Sequence, residues 1–332
     1  MRYLSKLPIN TTNTREWLLE VWMIFWTLTK IMLPMLIIVR VIELMGWVEV
    51  LAQGIEPLMQ WVGLPGEMGL VWVSAMVSSI YTGMAVFYQL GGAEQLTVAQ
   101  ISVLGTLILI AHSLPVEVAI AKSTGVSIWF TLALRVGGAL VLGLILHLTY
   151  SYTGSLQYYT SLSWQPAIGD DSWHYWLILQ GQTFLAAFII IAALTLLMRV
   201  MRYLGIEKII HWLLAPIMRA MGIGAKAINI MIAGLTLGIA LGGGLMIQEA
   251  RSGHISGKDI FMTMAFLGLC HSLIEDTLLI VLLGADLSAI LWGRLVFSLL
   301  FIALLARILN WLPQKQHRTL FTCPMATTKT DS

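Results

Sequence analysis

The chain has 332 residues, 58% of them hydrophobic and only 11% charged, with a net charge of +2. A soluble domain carries about a quarter charged residues, so this composition excludes a soluble globular protein, and the small net charge gives no basis for nucleic-acid binding. No Walker-type phosphate loop, HExxH helix or paired CxxC occurs, which removes the usual sequence support for ATP-driven transport by this chain alone and for zinc proteolysis; with no nucleophile–base pattern either, an enzyme is the least expected reading, and no cofactor is expected.

The elements follow in chain order. Residues 1–16 carry Arg2, Lys6 and Arg15 and read as a cytoplasmic arm. The apolar stretch after them is too long for a signal peptide and has no small-residue cleavage site, so it reads as a retained first helix. Apolar segments run 17–47, 68–90, 98–112, 127–150, 175–203, 227–248, 259–272 and 286–312. Most have the ~20 residues a spanning helix needs. The third and seventh are short, and each is followed by a second short stretch, 115–125 or 274–284. These read as second arms of broken helices or re-entrant hairpins. Two interfacial helices are expected at 49–62 and 207–221. The linker 153–172 is rich in Tyr, Ser, Thr and Gly, and the tail 313–332 is polar. Cys270 lies in an apolar segment and Cys323 in the tail, so no disulfide framework is implied.

The chain contains itself twice. A shift of 159 residues aligns 40–140 with 199–299 without a gap, with 17 identities over 101 positions. Arg40, Pro57, Met59 and Gly63 fall on Arg199, Pro216, Met218 and Gly222; Gly83 and Gln89 fall on Gly242 and Gln248. His112-Ser113-Leu114 falls on His271-Ser272-Leu273, Glu117 on Asp276, Gly125 on Gly284 and Arg135 on Arg294. The domains are therefore a first repeat at 17–152, an external linker at 153–172 and a second repeat at 173–312, between the arm and the tail. In a membrane protein such a duplication points to a solute pathway between the halves.

Basic residues orient the chain. The arm and the tail (Lys315, Arg318, Lys329) are basic and read as cytoplasmic; the linker, with Asp170 and Asp171 and no Lys or Arg, reads as external. Each repeat then crosses an odd number of times, which inverts one relative to the other. The first interfacial stretch carries Glu49, Glu56 and Glu67, its counterpart Lys208, Arg219 and Lys226, in agreement. Arg251 and Lys258 point the other way. An odd count also requires that 115–125 and 274–284 cross.

The strongest constellation is a His and a carboxylate five residues apart at the break of a short helix, in both halves: His112 with Glu117, and His271 with Asp276, next to Glu275. Ionisable groups in a membrane cost about 2.5–3.5 kcal/mol each on insertion scales. A helix break frees backbone groups, which survive at membrane depth only where protein or a wet cavity covers them. Such ends hold anions or cations, and imidazoles also carry protons. The structural alternative is a capping role for each His, with Ser113 and Ser272 as N-caps. Arg135 and Arg294, in the fourth segment of each half, require partners, and Glu117 and Asp276 are the nearest by repeat logic. Ser78-Ser79-Ile80-Tyr81-Thr82-Gly83 and Gly238–Gly244 mark either tight helix packing or unwound backbone beside a substrate, which would place Ser79 and Thr82 on its lining. Gln89 and Gln248 follow these segments and are candidate gate or binding residues. Trp residues near segment ends read as interface anchors, and the Met content as packing.

At these residues the chain resembles the gate-domain, or nucleoside-recognition domain, membrane proteins. The basis is the Pro-x-Met…Gly interfacial helix, the glycine-rich helix ending in Gln89 or Gln248-Glu249, and the His-Ser-Leu-x-x-Glu/Asp turn. It is similar to a fusion of spore maturation A- and B-type proteins. More distantly it resembles the membrane part of ferrous iron transporter B and concentrative nucleoside transporters. The resemblance implies an all-α polytopic bundle of the bacterial-type inner membrane with transport-like architecture. The expected function is a secondary transporter for a small polar solute, nucleoside-like molecules being candidates, with H⁺ or Na⁺ as coupling ion. Its site would be His112, Ser113, Glu117, His271, Ser272, Glu275, Asp276, Ser79, Thr82, Gln89 and Gln248. The partners are membrane lipid and solute, and a homo-oligomer is allowed. The alternatives are a divalent metal permease, with Cys270 and Met as further ligands, and a non-transporting scaffold of an envelope or export complex.

Overall fold

A computed structural model describes residues 11–45, 47–90, 96–159, 172–253 and 255–311. The expectations for residues 1–10 of the N-terminal arm, for Asp170 and Asp171 with most of the linker, and for the tail lie outside the described residues, whereas residues 11–16 of the arm already belong to the first helix. Among the described residues the structure is helical, with a single isolated bridge between Thr97 and Tyr159.

The first half contains α1 (Thr11–Leu44), α2 (Val48–Trp61), α3 (Met68–Val77), α4 (Ile80–Gln89), α5 (Val98–Ile110), α6 (Leu114–Ser123) and α7 (Ile128–Thr153). The second contains α8 (Trp173–Tyr203), α9 (Ile206–Ala220), α10 (Ala225–Leu237), α11 (Ile239–Ser252), α12 (Gly257–Leu269) and α13 (Glu275–Val281). A π-helical turn, Ser288–Gly293, then feeds α14 (Arg294–Trp311). Shifted by 159, α5 (98–110) becomes 257–269, the bounds of α12, and the other elements agree within a few residues. The duplicated glycines explain part of this register. Gly125 and Gly284 both sit at positive φ, 93° and 94°, where a side chain would be strained. They end the short helix of each half at the same place.

Among the described residues, five helices are long and apolar enough to cross a membrane: 14–41, 98–123 (α5 and α6 together), 128–153, 173–201 and 288–311. α5 and α6 diverge from their break instead of folding back, so the pair reads as one interrupted span. By register, α12 with α13 is its counterpart.

The segments 68–90 and 227–248 behave differently from the spans the hydropathy predicts. α3 and α4 lie against each other, as do α10 and α11. Ser78 and Ser79 leave the helical region (φ −116°, ψ −89°; φ −160°, ψ 166°), and Ser79 Oγ accepts from the Thr82 amide to start the returning arm. Gly83 lets the arms meet: a Cβ there would stand 2.7 Å from Cβ of Ala75. In the second half the turn is the single residue Gly238, at φ +89° and ψ 164°, a region open essentially to glycine. Each half therefore holds a helical hairpin as well as a broken span.

α5 and α12 form the centre, with nearly every residue buried. Thr97 and Gln100 close a capping box that starts α5, and Ser256 caps α12 through the Asp259 amide. The surrounding packing is reciprocal. α7 packs on α12 as the π-turn packs on α5, and α4 packs on α13 as α11 packs on α6. Gly138 and Gly105 serve these crossings, each admitting an apolar side chain of the other half, Leu269 and Ile280 respectively. At the periphery α1 meets α8. There Trp17 donates to Thr195 at 2.9 Å, Arg199 pairs with Glu20 at 2.7 Å, and Phe25 stands edge-on to Phe188. Outward faces carry exposed Trp22, Trp26, Leu185, Ile189 and Leu300, as a lipid-facing surface does.

Candidate functional site

The two helix breaks meet at the centre of the molecule. α5 stops at Ile110 and α12 at Leu269, so carbonyls in their last turns lose intrahelical donors. The ring of His112 supplies one: its Nδ1 lies 3.0 Å from the carbonyl of Ile108. Its counterpart His271 does the same at 2.8 Å from Leu267. A carbonyl only accepts, so Nδ1 carries the hydrogen in both rings. Each neutral ring then presents a bare lone pair at Nε2. These two nitrogens face each other at 3.3 Å. Two lone pairs at that distance repel unless a positive species lies between or beside them.

Acidic side chains surround the pair. Glu117 Oε1 is 3.4 Å from His112 Nε2 and 3.3 Å from His271 Nε2. Asp276 Oδ2 is 3.8 Å from both. The other oxygen of Glu117 pairs with Arg135, which is fully buried and also donates through Nε to the carbonyl of Ile110 at 2.8 Å. Arg294 does not repeat this. It donates to the backbone carbonyl of His271 at 3.2 Å, while its Nε and Nη1 have no hydrogen-bond partner. The expected match of Arg135 with Glu117 is present, and the expected pairing of Arg294 with Asp276 is absent. The reason is length, since the aspartate is one methylene shorter and lies beside the imidazoles. Asp276 Oδ2 is left buried with no hydrogen-bond partner.

The serines do not act as ordinary N-caps. Ser113 and Ser272 both adopt the left-handed conformation, φ 48° and 44°, and neither side chain caps its helix. Non-glycine residues there are strained. What holds Ser113 is the hairpin tip: its amide donates to the carbonyl of Ala75 and its hydroxyl to that of Ser78, both at 2.9 Å. In the second half the amides of Ser272 and Leu273 donate to the carbonyls of Gly234 and Leu235, at 3.4 and 2.7 Å. Each hairpin is thus docked by backbone hydrogen bonds on the break of its own half, while the ionisable side chains meet across the halves.

The remaining candidates sort by distance from this junction. Thr82 is fully buried and bonds Ser78 and Ser79 within the hairpin tip. Glu275 is half-buried, within electrostatic reach of Tyr81 and Asp276, outside the imidazole cluster. Gln89 and Gln248 lie at the far ends of α4 and α11, roughly 15 Å of helix from the tips; Gln248 is exposed. Cys270 is buried next to His271 but turns to Arg294 and Ser298. Sequence reasoning missed the hairpin carbonyls of Ala75, Ser78, Gly234 and Leu235. It also missed the carbonyls of Ile108 and Leu267, whose place four residues before each His was a usable signal.

Residues 25–127, from the middle of α1 through α6, match the family model described as Gate, nucleoside recognition. The match contains the first hairpin, the first break, His112 and Glu117, and the 159-residue register extends the same plan to the second half. The chain is similar over most of its length to the uncharacterized membrane protein YvoD of Bacillus subtilis (strain 168). The two are 27% identical over 283 residues, covering 83% of this chain and 88% of that protein. No solved structure matches the chain significantly. The molecule is thus an all-α polytopic membrane bundle that contains a segment similar to the Gate family.

Proposed function

We propose that this protein is a secondary permease of the inner (plasma) membrane that moves a small polar solute through the junction of its two halves. The observation that carries this reading is the meeting of two broken spans and two docked hairpins at one buried cluster of His and carboxylate groups. Charged groups at membrane depth need a function or a compensating partner, and Asp276 and Arg294 are only partly compensated.

Each half has three crossings: its long first helix, its broken span and its last helix. An odd number supports opposite orientation of the halves, with both termini cytoplasmic and the linker external. Alternating access then follows from the hairpins. Two hydrogen bonds tie the first tip to Ser113, each worth about 0.5–1.5 kcal/mol net. Withdrawing one tip costs little beyond the packing of its arms and uncovers the junction from one side. The other tip keeps it sealed from the opposite side. With both tips docked, the two imidazoles stand within 3.8 Å of each other, of Glu117 and of Asp276, so a nucleoside enters only after a tip withdraws, whereas a bare ion fits beforehand.

Purified protein in liposomes, assayed with nucleosides, Na⁺, H⁺ and divalent cations, tests this reading. Flux of at least one of them that disappears in His112→Ala/His271→Ala is expected. Folded wild-type protein that moves none of them, and that instead co-purifies with envelope or export proteins, overturns it in favour of a scaffold.

A further inference from the structure

We infer that His112, His271 and Glu117 form a binding site for a divalent metal ion of the zinc class, with Asp276 poised as the fourth donor. The inference rests on reading this junction as the functional centre, and it names the ion that the centre takes.

The donor triangle has the size that such an ion requires. Zinc–nitrogen and zinc–oxygen bonds of about 2.0–2.2 Å in a tetrahedron put neighbouring donors roughly 3.3–3.6 Å apart. The three donor separations are 3.3 Å between the imidazoles and 3.4 and 3.3 Å from each imidazole to Glu117. These three residues are all buried. Asp276 Oδ2 is 3.8 Å from each Nε2 and lacks a hydrogen-bond partner, but it lies outside the group of mutually close donors, so it joins as a fourth donor only by moving towards the triangle.

The tautomers agree. Both Nδ1 atoms donate to backbone carbonyls, so both Nε2 lone pairs are free for an electrophile. A metal-bound histidine is held this way, its other nitrogen donating to a carbonyl or carboxylate. Glu117 is steadied likewise, one oxygen in the triangle and the other on Arg135. The donor set also selects the ion. Imidazole with carboxylate suits zinc and its first-row neighbours, whereas calcium and magnesium prefer all-oxygen sites. Cys270 takes no part, since it turns to Arg294 and Ser298. The permease would thus pass or be gated by a zinc-class cation, with three firm donors and one movable one to let it leave.

The test uses tag-free full-length protein in detergent, stripped with chelator and then exposed to Zn(II) alone, with bound metal measured by mass spectrometry and calorimetry. One equivalent per chain is expected for wild type and for the control His174→Gln, whose histidine is exposed. His271→Gln and His112→Gln should lose it while remaining monodisperse. Co(II) supplies a readout independent of affinity, because the wild type should show the intense visible absorption of tetrahedral cobalt and His271→Gln should not. Wild type that binds no more Zn(II) than the variants, or that gives only the weak spectrum of octahedral cobalt, overturns the site. Zinc binding without flux of any solute removes the permease reading and leaves the site. Flux that persists in chelator without bound metal does the reverse.

Discussion

At the scale of single residues, the two halves share a sequence plan but not a charge balance. Arg135 and Arg294 occupy equivalent positions and are both fully buried, yet only Arg135 bonds a carboxylate directly. Breaking a buried ion pair by removing one partner costs about 3–5 kcal/mol, because the other charge stays behind uncompensated. Arg135→Met should therefore lower the thermal midpoint of the purified protein sharply, by the equivalent of roughly that amount. Arg294→Met removes a guanidinium with two unpartnered nitrogens and should lower it clearly less. Thermal unfolding of the two variants side by side checks this. Equal losses would mean that Asp276 and Arg294 form a pair as strong as Glu117 and Arg135.

At the scale of elements, the hairpins carry the argument, and their turns differ. The first turns on two serines that hold a hydroxyl network with Thr82; the second turns on Gly238 alone. A Cβ at Gly238 would stand 2.9 Å from Ser272 Oγ, on a backbone that side chains rarely adopt. Gly238→Ala should cost about 1–3 kcal/mol of stability and lower flux by displacing the tip. Gly137→Ala, inside α7 with nothing within 4 Å of the new methyl, should be neutral or stabilising by up to about 1 kcal/mol. Thermal unfolding and flux of both variants check the contrast. A second prediction concerns motion. The Ser113 hydroxyl donates to the backbone carbonyl of Ser78 across the docked tip, which brings the two residues together, so Ser78→Cys with Ser113→Cys, in a chain lacking Cys270 and Cys323, should cross-link on oxidation. Flux should then stop and return on reduction. Undiminished flux in the cross-linked protein would mean that the first hairpin does not move during transport.

The same elements show what the sequence makes legible. The break at His112 and His271, the helices at 48–61 and 206–220 and the repeat register all appear in the residues, because polar groups and duplicated glycines stand out against an apolar background. The hairpins do not. A run of apolar residues that enters and returns is as hydrophobic as one that crosses, so 68–90 and 227–248 read as spans. The only marks of reversal are Ser78-Ser79 and Gly238, which equally fit helix packing. The site was legible as residue types, His with carboxylate at each break. The 3.3 Å contact between the two histidines depends on how the halves pack, which pairs residues 159 apart and leaves no local signal.

At the scale of the whole molecule, the reciprocal packing relates one half to the other, and the crossing count decides the direction of that relation. If α3–α4 and α10–α11 enter and return while α5–α6 and α12–α13 cross, each half makes three passes and the interfacial helices α2 and α9 lie on opposite faces of the membrane. Were the broken spans also to return, each half would make two passes and α2 and α9 would share a face. Gln60 and Arg219 discriminate between these cases, because they are equivalent positions 159 apart at the ends of α2 and α9 and both are exposed. In a chain lacking Cys270 and Cys323, Gln60→Cys should react with a membrane-impermeant maleimide applied to intact spheroplasts. Arg219→Cys should react only after the membrane is opened. Flux in each unlabelled variant establishes that the chain is correctly inserted. Labelling of both from outside, or of neither, would make the halves parallel and would remove the two-sided gating on which alternating access through this junction depends.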